Sequence, residues 1–105
     1  MVARVSVPAT AKQGEVITVR VAIQHPMETG FRFDSSGAAI PKNVINRLSC
    51  HYNGFEVFRA ELGSGIAANP YIEFHVIATK SGKLEFAWTD DTGANGAETA
   101  ELTVT

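Results

Sequence analysis

Residues Tyr71 to Asp90 read YIEFHVIATKSGKLEFAWTD, and the alternation in this stretch decides the fold class. Ile72, Phe74, Val76 and Ala78 alternate with Tyr71, Glu73, His75, Ile77 and Thr79. Further on, Leu84, Phe86 and Trp88 alternate with Lys83, Glu85, Ala87 and Thr89. Strand side chains point alternately to opposite faces, so each run offers one apolar face and one mostly polar face. Lys80-Ser81-Gly82 has the length and polarity of a hairpin reversal. The two runs are therefore expected to pair as the core hairpin, with Trp88 as its largest side chain.

The same period extends outward in both directions. Arg4–Val7 is a short strand ended by Pro8, which cannot donate to a ladder, and Ala9–Gly14 reads as a polar connection. In Glu15–Gln24, Ile17, Val19, Val21 and Ile23 share one face. His25–Gly30 breaks that strand, through Pro26 and the turn that Gly30 permits. Phe31–Asp34 and Ala38–Pro41, joined by Ser35-Ser36-Gly37, read as a weak hairpin at a sheet edge. Val44–Tyr52 puts Val44, Leu48, Cys50 and Tyr52 on one face, with an interruption at Asn46. Asn53-Gly54 then signals a hairpin, and the slip of alternation at Val57 and Phe58 signals a bulge. In the loop Gly63–Pro70, Ile66-Ala67-Ala68 is expected to make a helical turn. After the loop Asp91–Gly96, a last strand Glu98–Val104 turns Ala100, Leu102 and Val104 inward.

About seven strands at this spacing read as an all-β, antiparallel β-sandwich, one domain over residues 1–105, with a small barrel as the alternative; the antibody-type Cys…Trp…Cys pattern is absent, so an immunoglobulin-like label means sandwich architecture only. Val, Ile and Thr number 26 against four Leu, which favours strands. A net charge of −2 with scattered signs offers no footprint for nucleic acid. No apolar run reaches the ~20 residues of a membrane-spanning helix, and the N-terminus carries no signal-peptide pattern.

Few residues suggest chemistry. His25, His51 and His75 have no zinc-ligand spacing, so no metal or cofactor is expected, and they read as solvated, with His25 the best placed of the three to bind something. Cys50, the single cysteine, falls mid-strand on an apolar phase, which reads as an inert core thiol rather than a reactive one. Asp90-Asp91 and Glu98/Glu101 read as solvated carboxylates. No catalytic residue is expected. Recognition is expected instead at Met27 and at the aromatic pair Phe31 and Phe33, with Tyr71 as a weaker candidate. The alternative for the phenylalanines is that they fold back onto the core.

Several blocks carry a resemblance: HPMETG (25–30), IPKNVIN (40–46), YNGFEVF (52–58), IAANPY (66–71) and WTDD (88–91) followed by Gly93. They resemble, in order and over nearly the whole chain, the SoxZ family, the Z subunit of the sulfur-oxidation YZ carrier complex. The resemblance implies a non-catalytic subunit paired with a SoxY-type partner that carries sulfur on a cysteine arm. It further implies docking of periplasmic Sox enzymes and export to the periplasm together with the Y subunit. The end Leu102-Thr103-Val104-Thr105 lacks a Gly-Gly-Cys tail, as expected of the Z rather than the Y subunit. Phe31 and Phe33 are more apolar than that resemblance leads one to expect, so they either belong to the Y interface or vary freely. Isolated, the chain is expected to pair with itself through the same surface or an exposed edge, and a thiol-based redox or sulfur-binding role for Cys50 is the competing expectation.

Overall fold

The computed structural model describes residues 1–105 as two packed sheets built from eight strands. These are β1 (Ala3–Ser6), β2 (Thr10–Ala11), β3 (Val16–Ile23), β4 (Ile45–Tyr52), β5 (Phe55–Glu61), β6 (Tyr71–Ile77), β7 (Gly82–Asp90) and β8 (Asn95–Val104). One sheet has the order β1-β3-β6 and the other β2-β8-β7-β4-β5. All neighbours are antiparallel except β2 and β8. The expected sandwich is thus present, with one strand more than anticipated. That strand, Thr10–Ala11, was hidden in the polar connection because two residues are too few to show an alternation. It is held by its register with Thr103 and Val104.

The core lies between the sheets. Ile17, Val19, Val21, Phe74 and Val76 face Leu48, Cys50, Leu84, Phe86, Trp88 and Leu102. Each of these belongs to the inward phase of its strand, so the alternation predicts burial well. It does not predict neighbours. β6 pairs with β3 in one sheet, whereas β7 pairs with β4 and β8 in the other, so the expected β6–β7 hairpin does not form. Two apolar faces can meet across the 10 Å of a sandwich as readily as lie side by side on one sheet. The Tyr52 hydroxyl holds the crossover in place. It accepts from the backbone N–H of Thr79 (3.2 Å) and Lys80 (3.1 Å) and donates to the Lys80 carbonyl, pinning the segment that leaves one sheet for the other.

Other local signals hold. Asn53 and Gly54 have φ of 49° and 85° and connect β4 to β5 as a primed two-residue turn. Cys50 pairs with Phe58 and His51 with Glu56, which leaves Val57 as the bulged residue. Asn46 is a second extra residue, against β7, and this lets both Val44 and Ile45 point inward. Loop 63–70 contains a turn closed by Ile66 N–H to the Gly63 carbonyl (3.2 Å) and no helical turn at Ile66–Ala68.

Gly96 faces Trp88 across the β7–β8 ladder, and a Cβ there would fall 2.5 Å from the indole ring. A Gly96→Val substitution must displace the largest core side chain. The expected cost is ~1–3 kcal/mol, read as a drop of roughly 5–15 °C in Tm. An unchanged Tm would show that the ring has room to move.

Candidate functional site

The inward phase of β3 does not stop at Ile23. His25 and Met27 continue it, and both are buried, 3% and 4% exposed. At the other end of the chain, Asp90 continues the inward phase of β7 and is buried as well. His25 Nδ1 accepts from the Met27 backbone N–H at 2.9 Å, so its proton sits on Nε2, which donates to Asp90 Oδ2 at 3.0 Å. Asp90 Oδ1 in turn accepts from Thr92 N–H (2.9 Å), Thr92 Oγ1 (2.6 Å) and Ala94 N–H (3.1 Å). Burial alone would push the Asp90 carboxyl up. Donation from Thr92, His25 and Ala94 outweighs it and holds the group at about 2. His25 is therefore a structural residue of the interior rather than a solvated one, and Asp90 is no solvated carboxylate.

This buried pair roots a projection. Residues 28–43 form a two-stranded ribbon. Its base is the reciprocal pairing of Glu28 and Asn43 (2.8 and 2.9 Å), and its tip is the bridge between Phe33 and Ala39. Asp34 Oδ1 accepts from Ser36 N–H (2.9 Å), Ser36 Oγ (2.6 Å) and Ala38 N–H (3.0 Å), which closes the turn expected at 35–37. Around the root, Asp91 accepts from Val44 N–H and the Asn46 amide. Ser64 donates to the Thr29 carbonyl, and the Asn69 side chain accepts from His25 N–H. Every residue from Phe31 to Ala39 is exposed, and the molecule measures 59 × 19 × 19 Å.

Of the four residues expected to make partner contacts, the ribbon presents two. Phe31 and Phe33 are 82% and 68% exposed, so they do not fold back onto the core. Tyr71 is also exposed, at the start of β6. Met27 must be corrected: it has no surface to offer. It adopts a left-handed φ of 49°, which costs a non-glycine residue ~1–2 kcal/mol. Its Sδ accepts from Ile45 N–H at 3.2 Å. It is the anchor beneath the ribbon rather than a contact on it.

Cys50 lies wholly inside the core, where burial pushes its thiol up to about 12. A group so placed is neither accessible nor ionised near neutrality, which leaves the thiol reading without support. A thiol reagent at neutral pH should modify Cys50 only once denaturant unfolds the chain; rapid labelling of the folded protein would contradict this placement. No three His, Cys, Asp or Glu side chains converge as metal ligands.

The features together define an immunoglobulin-type sandwich with a projecting, hydrogen-bonded ribbon tipped by two bare phenylalanines. A superoxide reductase (neelaredoxin) from Ignicoccus hospitalis is similar to it over 100% of this chain and 81% of that one, with a TM-score of 0.74 and 19% identity. The sulfur carrier protein SoxY from Chlorobium limicola f thiosulfatophilum is similar over 98% of this chain and 78% of that one, with a TM-score of 0.66 and 15% identity. Identities this low establish a shared fold. No curated protein matches the chain. The model of the family described as "Sulphur oxidation protein SoxZ" matches residues 4–101, and the chain belongs to that family.

Proposed function

We propose that this chain is the non-catalytic subunit of a SoxYZ-type sulfur-carrier complex. It binds and supports a SoxY-type subunit and helps dock the periplasmic enzymes that act on the sulfur carried by that partner. Family membership supports the general role. The observation that carries the binding role is the pair Phe31 and Phe33, held in water on a ribbon whose root is anchored by the buried His25–Asp90 and Met27–His25 hydrogen bonds. Aromatic side chains on a rigid support make strong contact centres because little rotamer freedom is lost on docking. The proposed location is the periplasm, reached together with the Y subunit.

Co-expression with a SoxY-type subunit followed by size-exclusion chromatography tests the reading. The two chains are expected to elute together, with about 800 Å² buried on each. Separate elution at every concentration would contradict it.

A further inference from the structure

The four sheet edges are not equally protected against pairing. β1 is four residues long and is followed by Pro8, and β2 has two residues. β5 carries the bulge at Val57. β6 has seven residues in unbroken register with β3 and no bulge, and the proline just before it, Pro70, is turned to β3, where its carbonyl accepts from Ile23 N–H. A straight, open edge of this kind is a template for another strand.

The phase of the β3–β6 ladder fixes which groups are free. Ala78 N–H donates to the Glu15 carbonyl and Ile23 N–H to the Pro70 carbonyl. Hydrogen-bonded positions therefore recur at Ile72, Phe74 and Val76, while the N–H and C=O of Tyr71, Glu73, His75 and Ile77 point to the open edge. We infer that β6 pairs with β6 of a second copy of this chain, antiparallel, about a two-fold axis at Phe74.

Side-chain chemistry selects that register. An axis at Phe74 sets Glu73 opposite His75 and Tyr71 opposite Ile77, each twice. It joins a carboxylate to an imidazole, and two exposed apolar side chains to two others. An axis at Glu73 would face one carboxylate with its copy. An axis at His75 would face imidazole with imidazole and set Glu73 against Ile77. Tyr71 of the second copy would also lie at the mouth of a groove of about 540 Å³ between β5 and β6, lined in part by Phe55, Val57 and Ile77. That position adds apolar area to the backbone bonds. The three-stranded sheets would become one six-stranded sheet, β1-β3-β6-β6-β3-β1. This surface is separate from Phe31 and Phe33, so its failure would leave the proposed partner reading intact.

Sedimentation equilibrium of the full chain tests the pairing. A dimer is expected. His75→Glu should weaken it tenfold or more by placing like charges opposite each other, and Glu73→His/His75→Glu should restore it. His75→Pro removes an edge-facing N–H that β3 does not use, and should abolish the dimer while circular dichroism stays unchanged. Tyr71→Cys/Ile77→Cys should oxidise to a covalent dimer, and Tyr71→Cys alone should not. A monomer throughout, with no cross-link from the double cysteine variant, would overturn the inference. So would a dimer indifferent to every change at residues 73 and 75, which would locate the contact elsewhere. Protection of the β6 edge only when a SoxY-type subunit is added would assign the edge to that partner and equally overturn it.

Discussion

Asp90→Ala is expected to remove ~3–5 kcal/mol of stability at neutral pH. That is a large part of the ~5–15 kcal/mol a domain of this size possesses. The substitution strands the buried Nε2–H of His25 and frees Thr92 and Ala94 at the turn between β7 and β8. It also releases the imidazole that holds the Met27 N–H, so the ribbon root should loosen along with the turn. Urea unfolding measures the loss. The acid dependence identifies its cause. Asp90 in the folded chain is held at about 2 against an ordinary 3.8, so between these values the unfolded chain binds more protons than the folded one. The contribution is complete above about pH 4 and is lost as pH falls towards 2. The stability gap between the natural chain and Asp90→Asn should close over that window. Parallel pH curves for the two would show that Asp90 is not the group responsible.

The second large effect is on association. Phe31→Asp/Phe33→Asp should reduce affinity for a SoxY-type subunit by a factor of about 100 or more, enough to abolish co-purification. The unfolding midpoint should remain within a degree or two of the natural chain, because neither ring packs on the core. Met27→Asp offers no such separation. It places a charge in the interior and would disrupt the root, so a lost complex would report unfolding rather than an interface. Undiminished co-purification of the phenylalanine variant, together with an unchanged fold, would remove the ribbon tip from the partner surface.

What could be read from the residues follows the reach of each signal. Local chemistry was legible. Asn53-Gly54 announces its turn, the slip at Val57 announces its bulge, and the period of two in β3, β4 and β7 names the buried faces. Pairing partners were not legible, because β6 and β7 have the same inward faces whether they are neighbours or lie in facing sheets. The hydroxyl that holds the crossover belongs to Tyr52, far back along the chain. The bareness of Phe31 and Phe33 was left open by the sequence, since a short aromatic ribbon can lie flat or stand clear. The burial of His25, Met27 and Asp90 did leave a signal. Carrying the alternation of β3 on through Pro26, and that of β7 to its last residue, puts all three inside. The break at Pro26 and the polarity of the side chains argued for solvent, because a buried histidine needs its acceptor and Asp90 lies 65 positions away.

In the proposed function the chain is a scaffold that meets its partner through the ribbon. Hydrogen exchange of this chain, alone and with a SoxY-type subunit, tests it most directly. New amide protection is expected within residues 28–43, centred on Phe31–Phe33, with the Cys50 strand unchanged because it is already buried. A complex that leaves the ribbon amides exchanging freely, and protects only the outer face of the five-stranded sheet, would contradict it.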